Sequence, residues 1–255
     1  MDPGLLDRLR QTNPWLFGGA RVGETPVSTS PSGWLDRTQV DPRSLLEPGR
    51  AHLVVGPRQA GKSSLAWSVL RGLSRPLFLN LEEPILKQWC ASPAGFLAET
   101  SALGPLDALF LEEAQRLAEA PLFIKGLVDL RPSFPILVTG SASFHLLGRT
   151  RESLAGRASR HLLLPFSLAE VSPPRGSHGP AVFEAFRREA LKRQLRIGGY
   201  PEAWLSPAPE RVLGDLVQAF VLRDASDLFA VDRLDAYQTV LRLAAGQVGS
   251  LANLS

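Results

Sequence analysis

The segment Gly56-Pro57-Arg58-Gln59-Ala60-Gly61-Lys62-Ser63 follows the apolar run Ala51-His52-Leu53-Val54-Val55 and precedes a helix-prone stretch that begins with Ser64. A short apolar strand, a glycine-rich loop ending in Lys-Ser and a helix form the pattern of a phosphate-binding loop. A glycine-rich turn that binds no ligand is the alternative. The strand before the loop and the helix after it favour phosphate binding, because both help to aim the loop at an anion.

The residue types in this loop suit the phosphates of a nucleoside triphosphate. Gly56 and Gly61 let backbone amides approach phosphate oxygens, and the following helix turns its partly positive N-terminus toward the same anion. Lys62 is predicted to neutralise the β and γ phosphates, and Ser63 is predicted to hold Mg²⁺. The predicted nucleotide-binding segment therefore runs from residue 56 to Ser64.

The composition predicts a soluble globular protein. The 255 residues are 44% hydrophobic and 21% charged, which suffices for one substantial core and a smaller domain. No apolar run approaches the roughly 20 residues of a membrane-spanning helix, and the N-terminus lacks the apolar core of a signal peptide. We therefore expect a cytoplasmic protein without a membrane partner. The single Cys90 excludes an internal disulfide framework and fits a reducing compartment.

Shifts in composition along the chain predict its domain organisation. The first segment is rich in Pro, Gly, Ser and Thr, and Trp15 and Trp34 are predicted to anchor it on the core or on a neighbouring subunit. A run of helix-breaking residues at 171–180 marks a domain boundary. The predicted divisions are an extended arm at 1–49, a core at 50–170, a helical lid at 171–245 and the start of a further region of a longer natural protein at 246–255.

The core segment alternates apolar strand candidates with helical stretches. The strand candidates are 53–55, 77–80, 108–111, 136–139 and 161–164. This alternation predicts an α/β fold with a mostly parallel sheet and helices on both faces. Right-handed crossovers would bring the strand ends that carry Gly56, Glu113 and Ser141 to one rim. Helices are predicted beyond the core at 182–195, 209–227 and 232–245.

Two carboxylates end the strand candidate Leu106-Asp107-Ala108-Leu109-Phe110-Leu111-Glu112-Glu113. Magnesium-assisted hydrolysis requires such a pair opposite a phosphate loop. Glu112 is predicted to approach the metal, through water, and Glu113 is predicted to orient and deprotonate the attacking water. The alternative is a pair of acids at a helix start on a solvated turn.

Hydroxyl residues end another strand candidate, Ile136-Leu137-Val138-Thr139-Gly140-Ser141-Ala142-Ser143. Ser141 or Thr139 is predicted to touch the γ phosphate or the attacking water. Serine and threonine also cap helices, and that alternative stays open here.

An arginine that reaches the γ phosphate stabilises charge in the transition state, and Arg157 is our candidate for this role. It belongs to Leu154-Ala155-Gly156-Arg157, near Arg149, Arg151 and Arg160. Arg157 would act in its own subunit or across a subunit interface. A surface cluster of basic residues paired with Glu152 is the alternative.

Taken in order, these segments resemble prokaryotic AAA-type ATPases of the additional-strand class, which are related to signalling NTPases. The motifs that carry the resemblance are the loop from Gly56 to Ser63, Asn80-Leu81-Glu82, Glu112-Glu113-Ala114-Gln115, Thr139-Gly140-Ser141, Leu154-Ala155-Gly156-Arg157 and Gly198-Gly199-Tyr200-Pro201-Glu202. The ordered set covers about residues 50–225 and is far more specific than any one motif.

The resemblance implies binding and hydrolysis of ATP to ADP with Mg²⁺. It implies that Gly199, Tyr200 and Pro201 lie near the nucleotide as a lid sensor, and that Arg223-Asp224 forms a further lid motif. Members of the group commonly have Asp where this chain has Glu112, and the longer side chain alters the metal geometry. Members also usually carry a winged-helix element and a nuclease-like domain beyond the lid.

Three functions are compatible with these motifs. The first is an ATP-hydrolysing machine, assembled as an oligomer, that couples lid motion to single-stranded, duplex or branched DNA or to a protein. The second is a slow ATP-dependent switch that binds a protein partner. A small-molecule kinase explains the loop but needs neither Glu113 nor a C-terminal helical lid, so it ranks last.

DNA is a candidate partner on two weak grounds. The net charge of +3 and the pI near 9.4 are a mild basic bias. Arg188, Lys192 and Arg196 form a basic stripe on a predicted helix, opposite Phe183 and Phe186. The stripe suits nucleic-acid phosphates, and it also suits a solvated helix face.

Overall fold

The computed structural model describes residues 1–24, 35–141, 154–173, 176, 179–220 and 234–247. The chain divides into two compact units, Met1–Pro201 and Glu202–Ser255. Several positions named above lie outside the described residues: Trp34, Ser143, Arg149, Arg151, Glu152, Arg223, Asp224 and 248–255. For Ser141 the structure describes the backbone alone.

A five-stranded parallel sheet forms the centre of the first unit. Its strands are β1 (Ala51–Gly56), β2 (Pro76–Asn80), β3 (Ala108–Glu112), β4 (Ile136–Ser141) and β5 (Ala158–Leu162). Their order across the sheet is β2-β3-β4-β1-β5. Every residue of β1 is buried, as expected for a parallel strand covered on both faces. The predicted α/β fold with a mostly parallel sheet is confirmed.

Helices connect and follow the strands. In the first unit they are α1 (Pro3–Thr12), α2 (Lys62–Leu70), α3 (Pro84–Trp89), α4 (Pro93–Thr100), α5 (Ala120–Asp129) and α6 (Pro180–Ile197). Then follow α7 (Pro201–Leu205), α8 (Pro209–Ala219) and α9 (Leu234–Gly246). Short 3₁₀ helices lie at Pro14–Phe17, Pro42–Leu46, Ser101–Leu103 and Ala114–Arg116. Proline begins many of these helices because its fixed φ suits the first turn.

The strand order decides which helices share a face of the sheet. The chain moves one way across the sheet from β1 to β2 and returns from β2 through β3 to β4. Right-handed crossovers therefore place α2 on one face and α4 and α5 on the other. On the α2 face, Trp67 packs against Phe78 and Phe110, with ring centroids 4.9 Å and 5.8 Å away. Phe96 of α4 contacts Phe123 of α5 at 5.5 Å between ring centroids.

The fifth strand differs from its prediction in position. It was expected at 161–164 and runs from Ala158 to Leu162. The backbone N–H of Ala51 donates to Arg157 O at 2.9 Å, so pairing with β1 starts early. β5 lies at one end of the sheet order, where a strand tolerates polar side chains. Its polar Ser159 and Arg160 therefore interrupt the apolar run by which a strand is recognised in the sequence.

The N-terminal segment covers the edge strand β2. The Asn13 side chain accepts from Phe78 N at 2.7 Å and donates to Phe78 O at 3.0 Å, and Trp15 Nε1 donates to Pro76 O at 2.6 Å. Leu5, Leu9 and Trp15 are buried in the core. Side-chain groups thus satisfy backbone groups that would otherwise invite another strand.

The region after β5 divides between the two units. α6 lies in the first unit, where Gln194 Nε2 donates to Phe166 O at 2.7 Å. The predicted helix at 209–227 is observed as α8, and its last part lies outside the described residues. The extended arm, the boundary at residue 171 and the lid at 171–245 stay predictions. Among the described helices, we find none that combines the length and apolar character needed to cross a bilayer.

Candidate functional site

The phosphate-loop segment begins where β1 ends. A Cβ on Gly56 would lie 1.9 Å from Leu163 O, so only glycine fits where the end of β1 lies against the segment after β5. Gln59 and Gly61 then take left-handed conformations, with φ of 56° and 92°. These turns lead the chain from the strand into α2, which starts at Lys62. A non-glycine residue in a left-handed conformation costs free energy and is common in functional loops.

Lys62 lies beneath the loop and is only 7% exposed. Its Nζ donates to Gly56 O at 3.0 Å and to Pro57 O at 2.7 Å. The first amides of α2 have no acceptor within the helix, so the helix N-terminus adds donors and partial positive charge beside this ammonium group. The sequence therefore folds into a cationic cradle at the end of β1.

Glu112 at the end of β3 meets the start of α2. Burial raises the pKa of Glu112, and the nearby carboxylates of Glu113 and Glu82 raise it further, whereas a hydrogen bond with the Ser63 side chain and the charge of Lys62 lower it. The net shift is upward. Residues far apart in sequence are thus brought together, with a hydroxyl, a carboxylate and an ammonium group at one end of the sheet.

Glu113 directly follows this carboxylate and has a left-handed backbone, with φ of 55°. Gln115 Nε2 donates to Glu113 Oε2. The hydrogen bond fixes one carboxylate oxygen directly after the end of β3. A carboxylate held in this way can accept a proton from a water molecule beside the loop.

Thr139 lies in the row of side chains that contains Glu112. Leu111 pairs with Val138, so Thr139 lies beside Glu112 one step further along both strands. Thr139 is fully buried, and within the described residues its Oγ1 has no hydrogen-bond partner. A buried hydroxyl of this kind needs an explanation, and a phosphate oxygen or a water is a suitable partner. Ser141 pairs with Gly56 across β4 and β1.

The segment Gly199-Tyr200-Pro201 lies beside the loop within the first unit. Gly199 O accepts from Phe166 N at 2.6 Å, and a Cβ on Gly199 would approach Phe166 O to 2.4 Å. A Cβ on Gly61 would lie 3.8 Å from Pro201 Cγ. The structure therefore brings Pro201 to the phosphate loop.

Arg157 is not brought to the loop of its own chain. It lies at the start of β5, where its O accepts from Ala51 N. Gly56 is at the other end of β1, about 17 Å away for a strand that rises about 3.3 Å per residue. Arg157 Nε instead donates to Asp129 Oδ1 at 2.6 Å, and both side chains are more than a third exposed. This hydrogen bond and the charge of Arg157 lower the pKa of Asp129.

The basic stripe lies on α6. Arg188, Lys192 and Arg196 are exposed, and Lys192 Nζ pairs with Glu189 Oε1 at 2.7 Å. This ion pair is what a solvated helix face would show.

One side chain at the loop was not anticipated from the sequence. Arg37 Nη1 donates to Ala60 O at 2.6 Å, and Arg37 Nε donates to Glu170 Oε1 at 3.2 Å. The pair is almost wholly buried. Arg37 lies in the segment predicted to be an extended arm, and no periodic pattern marks it as buried.

The residues present fit a phosphate group with a divalent cation. Gly56 and Gly61 keep the loop free of side chains where it turns. Ser63 and Glu112 offer oxygen ligands, and Mg²⁺ is commonly held by one or two carboxylates together with phosphates and waters. Thr139 adds a buried hydroxyl that lacks a partner in the part of the chain that the structure describes. The donor set therefore suits magnesium and a phosphate chain.

Two family models and two relatives match parts of this chain. Residues 49–172 match a family model described as an AAA domain, and residues 188–255 match a domain of unknown function. The uncharacterized proteins Rv2008c of Mycobacterium tuberculosis and Mb2031c of Mycobacterium bovis are 41% identical to this chain over 108 residues. That alignment covers 41% of this chain and 23% of each relative, so the chain matches about a quarter of their length.

Two solved structures are similar at low identity. The Walker-type ATPase PABY2304 of Pyrococcus abyssi aligns at 16% identity with a TM-score of 0.40, over 78% of this chain and 72% of that chain. A structure of katanin aligns at 14% identity with a TM-score of 0.46, over 94% and 86%. The family match, together with the sheet and loop described above, supports an AAA-type P-loop ATPase domain in residues 49–172.

Proposed function

We propose that this protein is a Mg²⁺-dependent ATPase that couples its nucleotide state to movement of the C-terminal helices and to subunit contacts. One observation carries the proposal: the Ser63 side chain is hydrogen-bonded to the Glu112 carboxylate next to buried Lys62. Glu113 follows Glu112 at the same end of the sheet. A phosphate loop and a carboxylate pair on one rim are the parts that hydrolysis of a nucleoside triphosphate needs.

Each residue has a distinct role in this mechanism. Lys62 neutralises charge on the β and γ phosphates, and Ser63 with Glu112 holds the metal ion. Mg²⁺, when bound, stabilises the charge that develops on phosphate oxygens. Glu113, held by Gln115, accepts a proton from the attacking water. Thr139 or Ser141 donates its hydroxyl hydrogen to the γ phosphate or to that water.

The decisive experiment measures ATP binding and ATP turnover separately in two variants. Lys62→Ala is expected to abolish nucleotide binding, with Lys87→Ala as the control for loss of a lysine. Glu113→Gln is expected to keep binding and to slow hydrolysis by about 10²- to 10⁴-fold. Glu119→Gln, an exposed acid nearby, is the matched control. Turnover by Glu113→Gln at the wild-type rate would show that another group is the base.

A slow ATP-dependent switch is the second candidate, and Glu112 favours it. The glutamate is one methylene longer than aspartate, and Mg²⁺ demands near-ideal octahedral geometry, so we expect a weaker metal site than one built on aspartate. In this function bound ATP holds Pro201 at the loop, and hydrolysis resets the state. Glu112→Asp shortens the carboxylate by one methylene. If its turnover at saturating ATP exceeds that of the wild type, Glu112 limits catalysis and not nucleotide binding.

DNA is the proposed partner of the machine, and a protein is the proposed partner of the switch. The exposed Arg188, Lys192 and Arg196 support DNA contact through phosphates. Steady-state ATPase rates with single-stranded, duplex and branched DNA separate the two functions. Stimulation that disappears as salt is raised favours the machine, and a slow rate indifferent to DNA favours the switch.

A further inference from the structure

A buried guanidinium in the N-terminal segment contacts the back of the phosphate loop. Arg37 is 6% exposed. Its Nη1 donates to Ala60 O at 2.6 Å, and its Nη2 donates to Leu164 O, just after β5. One side chain thus joins three separate segments of the chain beside the loop.

A buried carboxylate holds this guanidinium in place. Glu170 Oε1 accepts from Arg37 Nε at 3.2 Å and from Thr38 N at 2.8 Å. Glu170 Oε2 accepts from Gln39 Nε2 at 2.7 Å and from Ser167 N at 2.8 Å. Burial would raise the pKa of Glu170, but these hydrogen bonds and the charge of Arg37 outweigh it and lower the pKa. Glu170 is therefore ionised at neutral pH and fully hydrogen-bonded.

The carbonyl that Arg37 holds lies at a critical point of the loop. Ala60 stands between Gln59 and Gly61, which both have left-handed backbones. An anion site must present N–H groups and keep carbonyl oxygens turned away from the phosphate. The hydrogen bond to Arg37 occupies Ala60 O on the side of the protein interior, which leaves the neighbouring N–H groups for an anion.

The same guanidinium reaches the segment that carries Pro201. It lies over the Phe166 ring, 4.8 Å from the centroid. Phe166 N donates to Gly199 O at 2.6 Å, and Pro201 approaches the Gly61 position of the loop. Arg37 thus links the loop, through the Phe166 ring, to the backbone of Gly199.

We propose that Arg37 is a positioning residue: fixed by Glu170, it sets the backbone of the phosphate loop for nucleotide and couples the loop to the Gly199-Tyr200-Pro201 segment through Phe166. The proposal rests on nucleotide binding at this loop, as proposed above. An arginine is needed because its planar fork reaches Ala60, Leu164 and Glu170 in different directions, whereas the point charge of lysine cannot.

Arg37→Lys and Arg75→Lys form a matched pair of variants for the test. Arg75 also donates to two backbone carbonyls, Pro105 O at 2.9 Å and Leu103 O, but it lies next to the start of β2, at the opposite end of the sheet. The probe is a fluorescent ADP derivative with Mg²⁺, titrated well below each variant's unfolding temperature. Arg37→Lys is expected to weaken binding about tenfold or more, as for loss of a charged hydrogen bond, and Arg75→Lys is expected to leave binding unchanged.

Each outcome decides a different point. Equal ADP affinity in folded Arg37→Lys and wild type overturns the positioning role, even while the wild type binds. Failure of the wild type to bind ADP overturns the proposed function instead. Equal weakening in Arg37→Lys and Arg75→Lys shows a general structural effect and also overturns the positioning role.

Hydrogen exchange on the unaltered chain decides the matter if Arg37→Lys does not fold. The amides of Thr38 and Ser167 both donate to Glu170, so their exchange reports opening of the Arg37–Glu170 pair. Reciprocal coupling requires that ADP with Mg²⁺ slow the exchange of both amides. Unchanged exchange at saturating ADP would contradict the proposal.

Discussion

Gly56 shows how tightly single residues are constrained at the site. The Cβ of any other residue would lie 1.9 Å from Leu163 O, and the obstacle is backbone that cannot rotate away. β1 and the segment after β5 would have to separate at the point where the loop begins. A methyl group at this position is therefore expected to lower the stability of the fold and to shift the start of the loop.

We predict that Gly56→Ala destabilises the protein by about 1–3 kcal/mol, the range for overpacking a rigid site, and weakens nucleotide binding. Thermal unfolding and titration with fluorescent ADP measure the two effects. Gly72→Ala is the control, because its Cβ would meet nothing closer than Val69 O at 3.7 Å. A Gly56→Ala protein as stable as Gly72→Ala would mean that β1 and the segment after β5 separate easily.

The sequence predicted the site residues that belong to motifs, but it did not predict the residues that hold the phosphate loop in place. Lys62, Ser63 and Glu112 follow a pattern that chemistry imposes, and the structure brings them together. Arg37 and Glu170 are single charged residues in irregular segments. Their pairing depends on a contact across 133 positions, which no local periodicity encodes.

Pairing of β1 with β5 places two histidines against each other. His52 Nδ1 and His161 Nε2 are 3.3 Å apart, and His52 Nε2 lies 2.8 Å from Glu47 O. His52 Nε2 must carry a proton to donate to that carbonyl, and in the neutral ring Nδ1 is then an acceptor for His161 Nε2–H. Burial lowers the pKa of His161 below its ordinary value of 6.5, and the nearby His52 lowers it further, although Glu47 opposes the shift.

This pair predicts a loss of stability in mild acid. The unfolded chain binds a proton at His161 more readily than the folded chain does, so stability is present above about pH 6.5 and falls as pH drops toward the lowered pKa. Urea unfolding from about pH 7.5 to pH 5.5 measures the slope. His161→Gln removes the titrating group and is expected to flatten the curve, and an unchanged slope would assign the effect to other groups.

The edge of β2 depends on one amide side chain. Asn13→Ala would leave Phe78 N and Phe78 O without their present partners, and a buried unsatisfied group costs about 1–3 kcal/mol. We expect urea unfolding to show a loss of this size. Gln11→Ala, which removes an exposed hydrogen bond with Arg8, is expected to change stability by less than about 0.5 kcal/mol. Similar losses in both variants would mean that water replaces Asn13 at β2.

Strands were predictable where both faces are buried. The apolar runs of β1 to β4 reflect burial on both faces, and their predicted positions fall within the observed strands. β5 was misplaced because Ser159 and Arg160 of this strand are polar. The cover of β2 by Asn13 was not predicted, since a side chain that imitates a neighbouring strand leaves no periodic signal.

At the scale of the whole molecule, Arg157 is placed to act on another subunit if it acts on phosphate. It is partly exposed and distant from the loop of its own chain. We predict that Arg157→Ala and Glu113→Gln are each slow alone and that mixing them restores part of the ATPase rate. The first variant would supply an intact site and the second would supply the arginine.

The control and the contrary outcome follow from the same geometry. Arg160→Ala, on the exposed part of β5, is expected to retain activity without mixing. The mass of the wild-type protein is measured in parallel with and without ATP. A monomer at all concentrations, or mixtures with only the averaged rate, would remove Arg157 from the reaction.

The cover that Asn13 and Trp15 provide for β2 leads us to expect that residues 49–172, the segment with the family match, do not fold by themselves. A truncated chain starting at residue 49, where the family match begins, would present the Phe78 amide and carbonyl as a bare template. The uncovered edge of β2 could then pair with an edge strand of another copy, and we expect such a fragment to aggregate. Trimming the protein to the matched segment is therefore expected to yield inclusion bodies or fibres in place of a folded domain.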